Sequence, residues 1–113
     1  MPDAPDVVVQ RQFDTYNAHD IDGFLATYSP TVEMRSLPSN ELLRSGHEEV
    51  RKFYEERFSN PNLRAELLGR TVLGTMVIDH ERLVGFDDGR VVVIIAVNEV
   101  RDGLIQNCWF ING

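Results

Sequence analysis

Asn98 is a lone amide following an otherwise apolar stretch, Val91 to Val97, and it is well suited to orienting a bound molecule. A buried amide needs hydrogen-bond partners, and a ligand carbonyl or hydroxyl would supply one. If the stretch is a strand, Asn98 shares a face with Ala96. Trp109 alternates with Ile105, Asn107 and Ile111, and its indole would give a flat ring a surface to stack on. Tyr16, Tyr28 and Tyr54 can each aim a hydroxyl at such a ligand.

Charged chemistry is harder to place. His80 lies in Asp79-His80-Glu81-Arg82 and would serve as a base near neutral pH if an acid oriented it. Four polar residues in a row, however, read as an exposed strand segment. His19 and His47 fall at helix boundaries and read as solvent-facing. The three histidines lack a ligand spacing such as His-Glu-x-x-His, so neither a metal nor another cofactor is expected. Cys108 is the only cysteine, which rules out an intrachain disulfide and reads as a buried, inert thiol. Arg35 and Arg57 can meet an anionic group. Arg57 lies on the inward stripe of its helix, where a salt bridge at a pocket rim is the simpler role.

These residues need elements to hold them. Val9, Phe13 and Tyr16 recur at helical spacing between about Val7 and His19, with Asp3 or Asp6 as a cap. Asp20 caps a short second helix carrying Phe24, Leu25 and Tyr28, which Pro30 ends. Val32 to Leu37 alternates as a strand, and Glu41 to Arg44 reads as a short partner. Ser45-Gly46-His47-Glu48 is a capping box. It opens a helix to about Ser59 whose inward stripe is Val50, Phe53, Tyr54, Arg57 and Phe58. The remainder is strand-like: Leu63 to Thr75, Met76 to Phe86, Val91 to Val100 and Leu104 to Ile111. Turns are expected at Asp87 to Arg90 and at Arg101-Asp102-Gly103. Helices first and then strands give an α+β fold.

The bulk numbers narrow the partners. A chain of 113 residues with 42% apolar content makes one modest domain. A net charge of -7 repels nucleic acid and anionic membranes, so neither is an expected partner. The opening Met-Pro-Asp-Ala-Pro-Asp lacks the basic and apolar regions of a signal peptide, and no apolar run has the length of a membrane span. A cytoplasmic location is expected. The run Val91 to Val97 is apolar on both alternating faces, so both faces should be covered. A second copy of the chain on the outer face is expected, which makes a homodimer through the sheet.

The chain resembles the NTF2-like superfamily, in particular its SnoaL-like and ketosteroid isomerase-like group. The resemblance rests on Asn17-Ala18-His19-Asp20-Ile21-Asp22-Gly23, Val32-Glu33, Ser45-Gly46 with Phe53-Tyr54 inside the following helix, and Asp102-Gly103 ahead of Trp109-Phe110. It implies a single domain over residues 1–113, an NTF2-like cone in which N-terminal helices pack on a strongly curved antiparallel sheet. Ketosteroid isomerases use an Asp base with a Tyr and a protonated Asp as oxyanion donors. The corresponding positions here are Gln12 for the tyrosine, Met34 for the base, and Ala96 or Val97 for the acid. Met34 cannot take a proton, so that isomerase mechanism is not expected and no catalytic residue is assigned. The resemblance instead implies a largely apolar pocket for a flat ligand with a carbonyl or hydroxyl, touched by Asn98, Trp109, Tyr16, Gln12, Met34 and Tyr54. Two other readings share the fold: an isomerase, cyclase or hydratase acting on a carbonyl-bearing ring compound, and a dimeric interaction protein whose pocket is filled.

Overall fold

Pro5 supplies the fixed φ that starts helix α1 (Pro5–Ala18), and Asp6 sits in its first turn, where the helix dipole favours an acid. The expected side-chain cap is absent: the N-cap is Ala4, and Asp3 instead pairs with Arg11 at 2.8 Å. His19 ends the helix in the left-handed region at φ 55°. Asp20 then caps α2 (Ile21–Leu25) as expected, accepting from the Gly23 N–H at 3.0 Å.

In this computed structural model, which describes residues 2–112, the chain continues as β1 (Tyr28–Ser36), β2 (Leu42–Ser45), α3 (Gly46–Phe58), β3 (Arg64–Leu73), β4 (Met76–Val84), β5 (Val92–Arg101) and β6 (Leu104–Asn112). The strands form one curved, unclosed sheet in the order β2-β1-β6-β5-β4-β3. Every pair is antiparallel except β1 with β6, which is parallel. Sequence reading anticipated only antiparallel pairs. The parallel contact arises because the chain leaves β1 through β2, α3, β3, β4 and β5 before β6 returns to its side. Strand β1 also starts earlier than Val32, and Pro30 lies within it where the pairing with β6 lapses between Tyr28 and Glu33. A proline without an N–H fits such a gap. Bulges between Leu67 and Gly69 and between Glu99 and Val100 add bend.

The motif following Tyr16 has a structural role. Asn17 donates to the Ala65 carbonyl at 3.0 Å and accepts from the Ala65 N–H at 2.8 Å, which pins α1 to β3. The Nε2–H of His19 donates to the Leu63 carbonyl at 2.8 Å, and its ring stacks on Phe58 at 5.4 Å. The Nε2–H of His47 donates to the Tyr28 carbonyl at 2.8 Å. Both histidines are therefore half-buried anchors rather than solvent-facing residues. Each ring N–H satisfies a backbone carbonyl.

Ser45 is the N-cap of α3, but its hydroxyl makes no capping bond; its backbone N–H donates to Glu49 Oε1 at 2.8 Å. Gly46 takes φ 77°, so the regular turn begins one residue later and the acid that reaches back is Glu49 rather than Glu48. Helices α1, α2 and α3 bury Val8, Val9, Phe24, Leu25 and Val50 against Val32, Met34, Val77, Val100 and Ile105 of the sheet. An aromatic cluster links them, with Phe24 and Tyr54 centred 4.7 Å apart and Tyr16 and Phe58 5.3 Å apart. The other face of the sheet is open in the single chain: Ile78, Val93 and Ile111 are each more than a third exposed. Among the described residues, the chain therefore leaves these three positions of that face uncovered. None of the described helices is long and apolar enough to cross a membrane.

Candidate functional site

Strand β4 alternates cleanly. Val77, Asp79, Glu81 and Leu83 are buried on the inner face, while Ile78, His80 and Arg82 are exposed on the outer one. His80 is exposed as expected, but the segment around it is not an exposed one. Its two acids occupy core positions. Asp79 is neutralised by Arg70 of β3, its register partner, through two bonds of 2.6 and 2.9 Å. Arg70 also donates to Gln10 Oε1 at 2.7 Å, which fixes its fork. Glu81 has neither an ion pair nor a hydrogen bond among the described residues. Burial first, then the negative charge of Asp79, pushes its carboxyl up to about 7, with Arg70 opposing. A carboxyl so placed is divided between acid and base forms near neutral pH, which suits it to both giving and taking a proton.

Glu81 lines a cavity of about 210 Å³ between the helices and the inner face of the sheet. That is below the roughly 300 Å³ of a drug-sized site, so the space suits a compact molecule. Strand β5 contributes Val92, Ile94, Ala96 and Asn98 at alternate positions, and β6 contributes Phe110 and Asn112. Gln12 and Tyr16 come from α1, one turn apart. Phe53, Tyr54 and Arg57 come from α3, and Leu43 and Arg44 from β2. Asn98 is buried, and its Oδ1 accepts from the Cys108 Sγ–H at 3.2 Å, which leaves its amide NH₂ to offer a ligand. The Cys108 thiol is pushed up by burial and stays protonated.

The tyrosines are all neutral donors. Burial holds Tyr28 well above the ordinary phenol range and pushes Tyr54 up to about 12. Burial also raises Tyr16, with the charge of Arg57 opposing it. The Tyr16 hydroxyl is buried and makes no hydrogen bond of ordinary geometry among the described residues, although the Arg57 guanidinium lies close enough to favour its ionised form. Nε of Arg44 is buried with no hydrogen-bond partner among the described residues. The guanidinium carbon of Arg44 lies 3.8 Å from the centre of the Phe53 ring, and that of Arg57 lies 4.9 Å from the same ring. The salt bridge expected for Arg57 is absent among the described residues.

Asn98, Tyr16, Gln12 and Tyr54 therefore meet at one cavity, whereas Trp109 and Met34 do not reach it. Trp109 pairs with Val97 and Arg35 on the opposite face from Cys108 and Phe110, because the alternation of β6 sends odd positions outward there. Met34 is fully buried and packed into the core beneath the helices. The wall is also not largely apolar: Gln12, three tyrosines, two arginines, Glu81, Asn98 and Asn112 alternate with the aliphatic and Phe surface. Glu81 and Arg44 were missed from the sequence. A usable signal for Glu81 was the alternation Val77-x-Asp79-x-Glu81-x-Leu83, whose apolar ends mark the inner face. Among the described residues, no group of three or more His, Cys, Asp or Glu side chains is placed to hold a metal ion.

The profile of the SnoaL-like domain matches residues 9–107. Among curated proteins, none matches. Solved structures share the fold at low identity. An uncharacterised cystatin-fold protein from Novosphingobium aromaticivorans is 18% identical with a TM-score of 0.85, over 96% of this chain and 97% of that one. A SnoaL-like protein of unknown function from Burkholderia thailandensis is 21% identical with a TM-score of 0.78, over 96% and 93%. A candidate polyketide cyclase from Sinorhizobium meliloti is 19% identical with a TM-score of 0.77, over 91% and 92%.

Proposed function

Since the chain belongs to the SnoaL-like domain family, we propose that its cavity binds a compact, flat, carbonyl-bearing molecule and moves a proton on it, with Glu81 as general acid–base. The observation that supports this reading is a buried carboxyl without a partner on the cavity wall, held at about 7. The ionised carboxylate takes a proton from the carbon beside the carbonyl. The C–H electron pair becomes a carbon–carbon double bond as the carbonyl π pair moves to oxygen, which gives an enolate. The Tyr16 hydroxyl and the Asn98 amide are the donors for that oxygen. Glu81 then returns the proton at another carbon, an isomerisation, or the enolate carbon attacks a second carbonyl carbon of the molecule, whose π pair moves to its oxygen and takes the proton from Glu81, an aldol-type cyclisation. The acid thus comes from β4 rather than from the Met34 position where ketosteroid isomerases carry their base.

Binding without turnover is the second reading. Asn98 favours it, because an amide locked by Cys108 would orient a carbonyl in a pure binder equally well. We further infer that two copies associate through the outer sheet face, where Ile78, Val93 and Ile111 are exposed. The cytoplasm is the expected compartment.

Exchange of ligand C–H for C–D in heavy water, followed by NMR across a panel of compact ketones and 1,3-dicarbonyls, tests the reading. The wild type should accelerate exchange for at least one compound, and Glu81→Gln should abolish it. Saturable binding with no exchange would leave the binder. A dependence on protein that survives Glu81→Gln would reject the assigned base.

A further inference from the structure

We propose that the cavity selects anionic molecules, with Arg44 and Arg57 receiving the carboxylate of a compact keto acid. The inference deepens the proton-transfer reading and rests on it only for where the ketone lies.

The first observation is the pairing pattern of the cations. The chain has 18 acids against 11 basic residues, so most arginines can find a partner. Arg11, Arg35, Arg51, Arg70, Arg82, Arg90 and Arg101 each lie within 4.0 Å of a carboxylate oxygen. Arg44, Arg57, Arg64 and Lys52 have none among the described residues, and of these four only Arg44 and Arg57 line the cavity. They are not counterions of Glu81, whose surroundings are set by Asp79 and Arg70. Both guanidinium groups lie over the one ring of Phe53. Two like charges against one ring repel, and the ring quadrupole offsets only part of that. An anion bound in the cavity that both arginines line would offset more of it.

The second observation is independent of charge. Nε of Arg44 is buried without an acceptor. The Nε–H and a neighbouring Nη–H form the edge of a guanidinium that grips both oxygens of a carboxylate. A buried N–H without an acceptor is a donor that a carboxylate would satisfy, with a turn of the Arg44 side chain to bring it to the cavity wall.

Tyr16 lines the same cavity as Arg57 and Glu81, and its hydroxyl is near enough to feel both charges. A molecule spanning the cavity would set its carboxylate on the arginines, its ketone oxygen at Tyr16 and its acidic C–H towards Glu81. A cavity of about 210 Å³ limits such a molecule to about one ring.

Para-acetylbenzoate and its neutral isostere para-acetylbenzamide test this, titrated by NMR into the nitrogen-15-labelled full chain. The benzoate should bind at least about tenfold more tightly, the size expected for a charge-assisted pair. Arg57→Gln and Arg44→Gln should each remove that preference, and Arg44→Lys should restore only part of it, since an ammonium cannot offer the fork. Thermal unfolding of each variant separates lost binding from lost fold, and Arg57, half-exposed, is the safer substitution. Equal binding of acid and amide would overturn the proposal. So would a preference that survives in folded Arg57→Gln and Arg44→Gln, or no saturable shift from the acid at millimolar concentration. Glu81-dependent deuterium exchange of neutral ketones alongside equal binding would sink the anion site and leave the proton-transfer reading standing. An acid preference without exchange would do the reverse.

Discussion

Asp79 and Glu81 project from the same face of β4, two residues apart, and only Asp79 has a cation to answer it. The difference follows from strand register: Arg70 of β3 stands opposite Asp79, whereas Leu67 stands opposite Glu81. One acid is a structural ion, the other a titratable group facing the cavity.

That asymmetry predicts a pH dependence of stability. The native Glu81 carboxyl titrates at about 7, against 4.5 for its ordinary value. A raised native pKa stabilises the fold fully below the unfolded value, and the contribution is lost as pH rises through the native value. Glu81→Gln should therefore resemble the wild type near pH 4. It should become progressively more stable than the wild type above about pH 4.5, reaching about 3 kcal/mol at about pH 8 and beyond. Urea unfolding at a series of pH values checks this. A difference that does not change with pH would mean that Glu81 is not perturbed.

Arg70 should tune that titration from a distance. Arg70→Gln leaves Asp79 buried and unpaired, which costs about 3 to 5 kcal/mol. It also removes the positive charge that lowers Glu81 and exposes Glu81 to an unscreened Asp79. The Glu81 midpoint should then move above its wild-type position, and in Asp79→Asn it should move below. Carbon-13 NMR of the Glu81 side chain would follow both shifts, and a midpoint unmoved in either folded variant would refute the coupling.

Much of the frame was legible in the chain. The helix start at Asp20, the turn at Asp102-Gly103 and the strand from Val92 onward are local signals, carried by caps, left-handed backbone and β-branched side chains. What was not legible depended on distant partners. The parallel contact of β1 with β6 is set by the path of the whole chain. The inward turn of His19 and His47 depends on carbonyls 44 and 19 residues away in sequence. Glu81 was hidden by its neighbours: a charged tetrapeptide looks solvated until alternation sorts its members onto two faces. Trp109 was misplaced by the same parity: sequence reading grouped it with Ile105, Asn107 and Ile111, but the irregularity opposite Glu99 and Val100 leaves Ile105 in the core, and the remaining three face the side away from the cavity.

Tyr16→Phe should separate stability from function. The hydroxyl is buried and makes no hydrogen bond of ordinary geometry among the described residues, and such a group destabilises by about 1 to 3 kcal/mol relative to a satisfied one. Removing it should leave the melting temperature unchanged or raise it. Ligand affinity or exchange rate should fall instead, by about tenfold for one lost hydrogen bond. A lower melting temperature with unchanged binding would make the hydroxyl a structural group with a partner of its own.

Asn98→Leu asks the matching question of the sheet. Its Oδ1 holds only the weak thiol donor of Cys108, so the fold should tolerate the change within about 1 kcal/mol. Binding of a carbonyl ligand should be lost. Unaltered affinity for such a ligand, measured by calorimetry, would make Asn98 part of the scaffold.

The outer face offers a test that leaves the cavity intact. Ile78 lies between Thr71 and Val97 in register, on the exposed side of β4, while the cavity residue Glu81 points the other way. A lysine there is solvated in a monomer and should barely disturb the fold. In a dimer packed through this face it would bury a charge against apolar surface, which costs far more than the lost contact. Light scattering should then give the mass of two chains for the wild type and of one for Ile78→Lys, with ligand binding retained. A wild type that already runs as one chain would reject the dimer, and the exposed stripe of Ile78, Val93 and Ile111 would need another occupant.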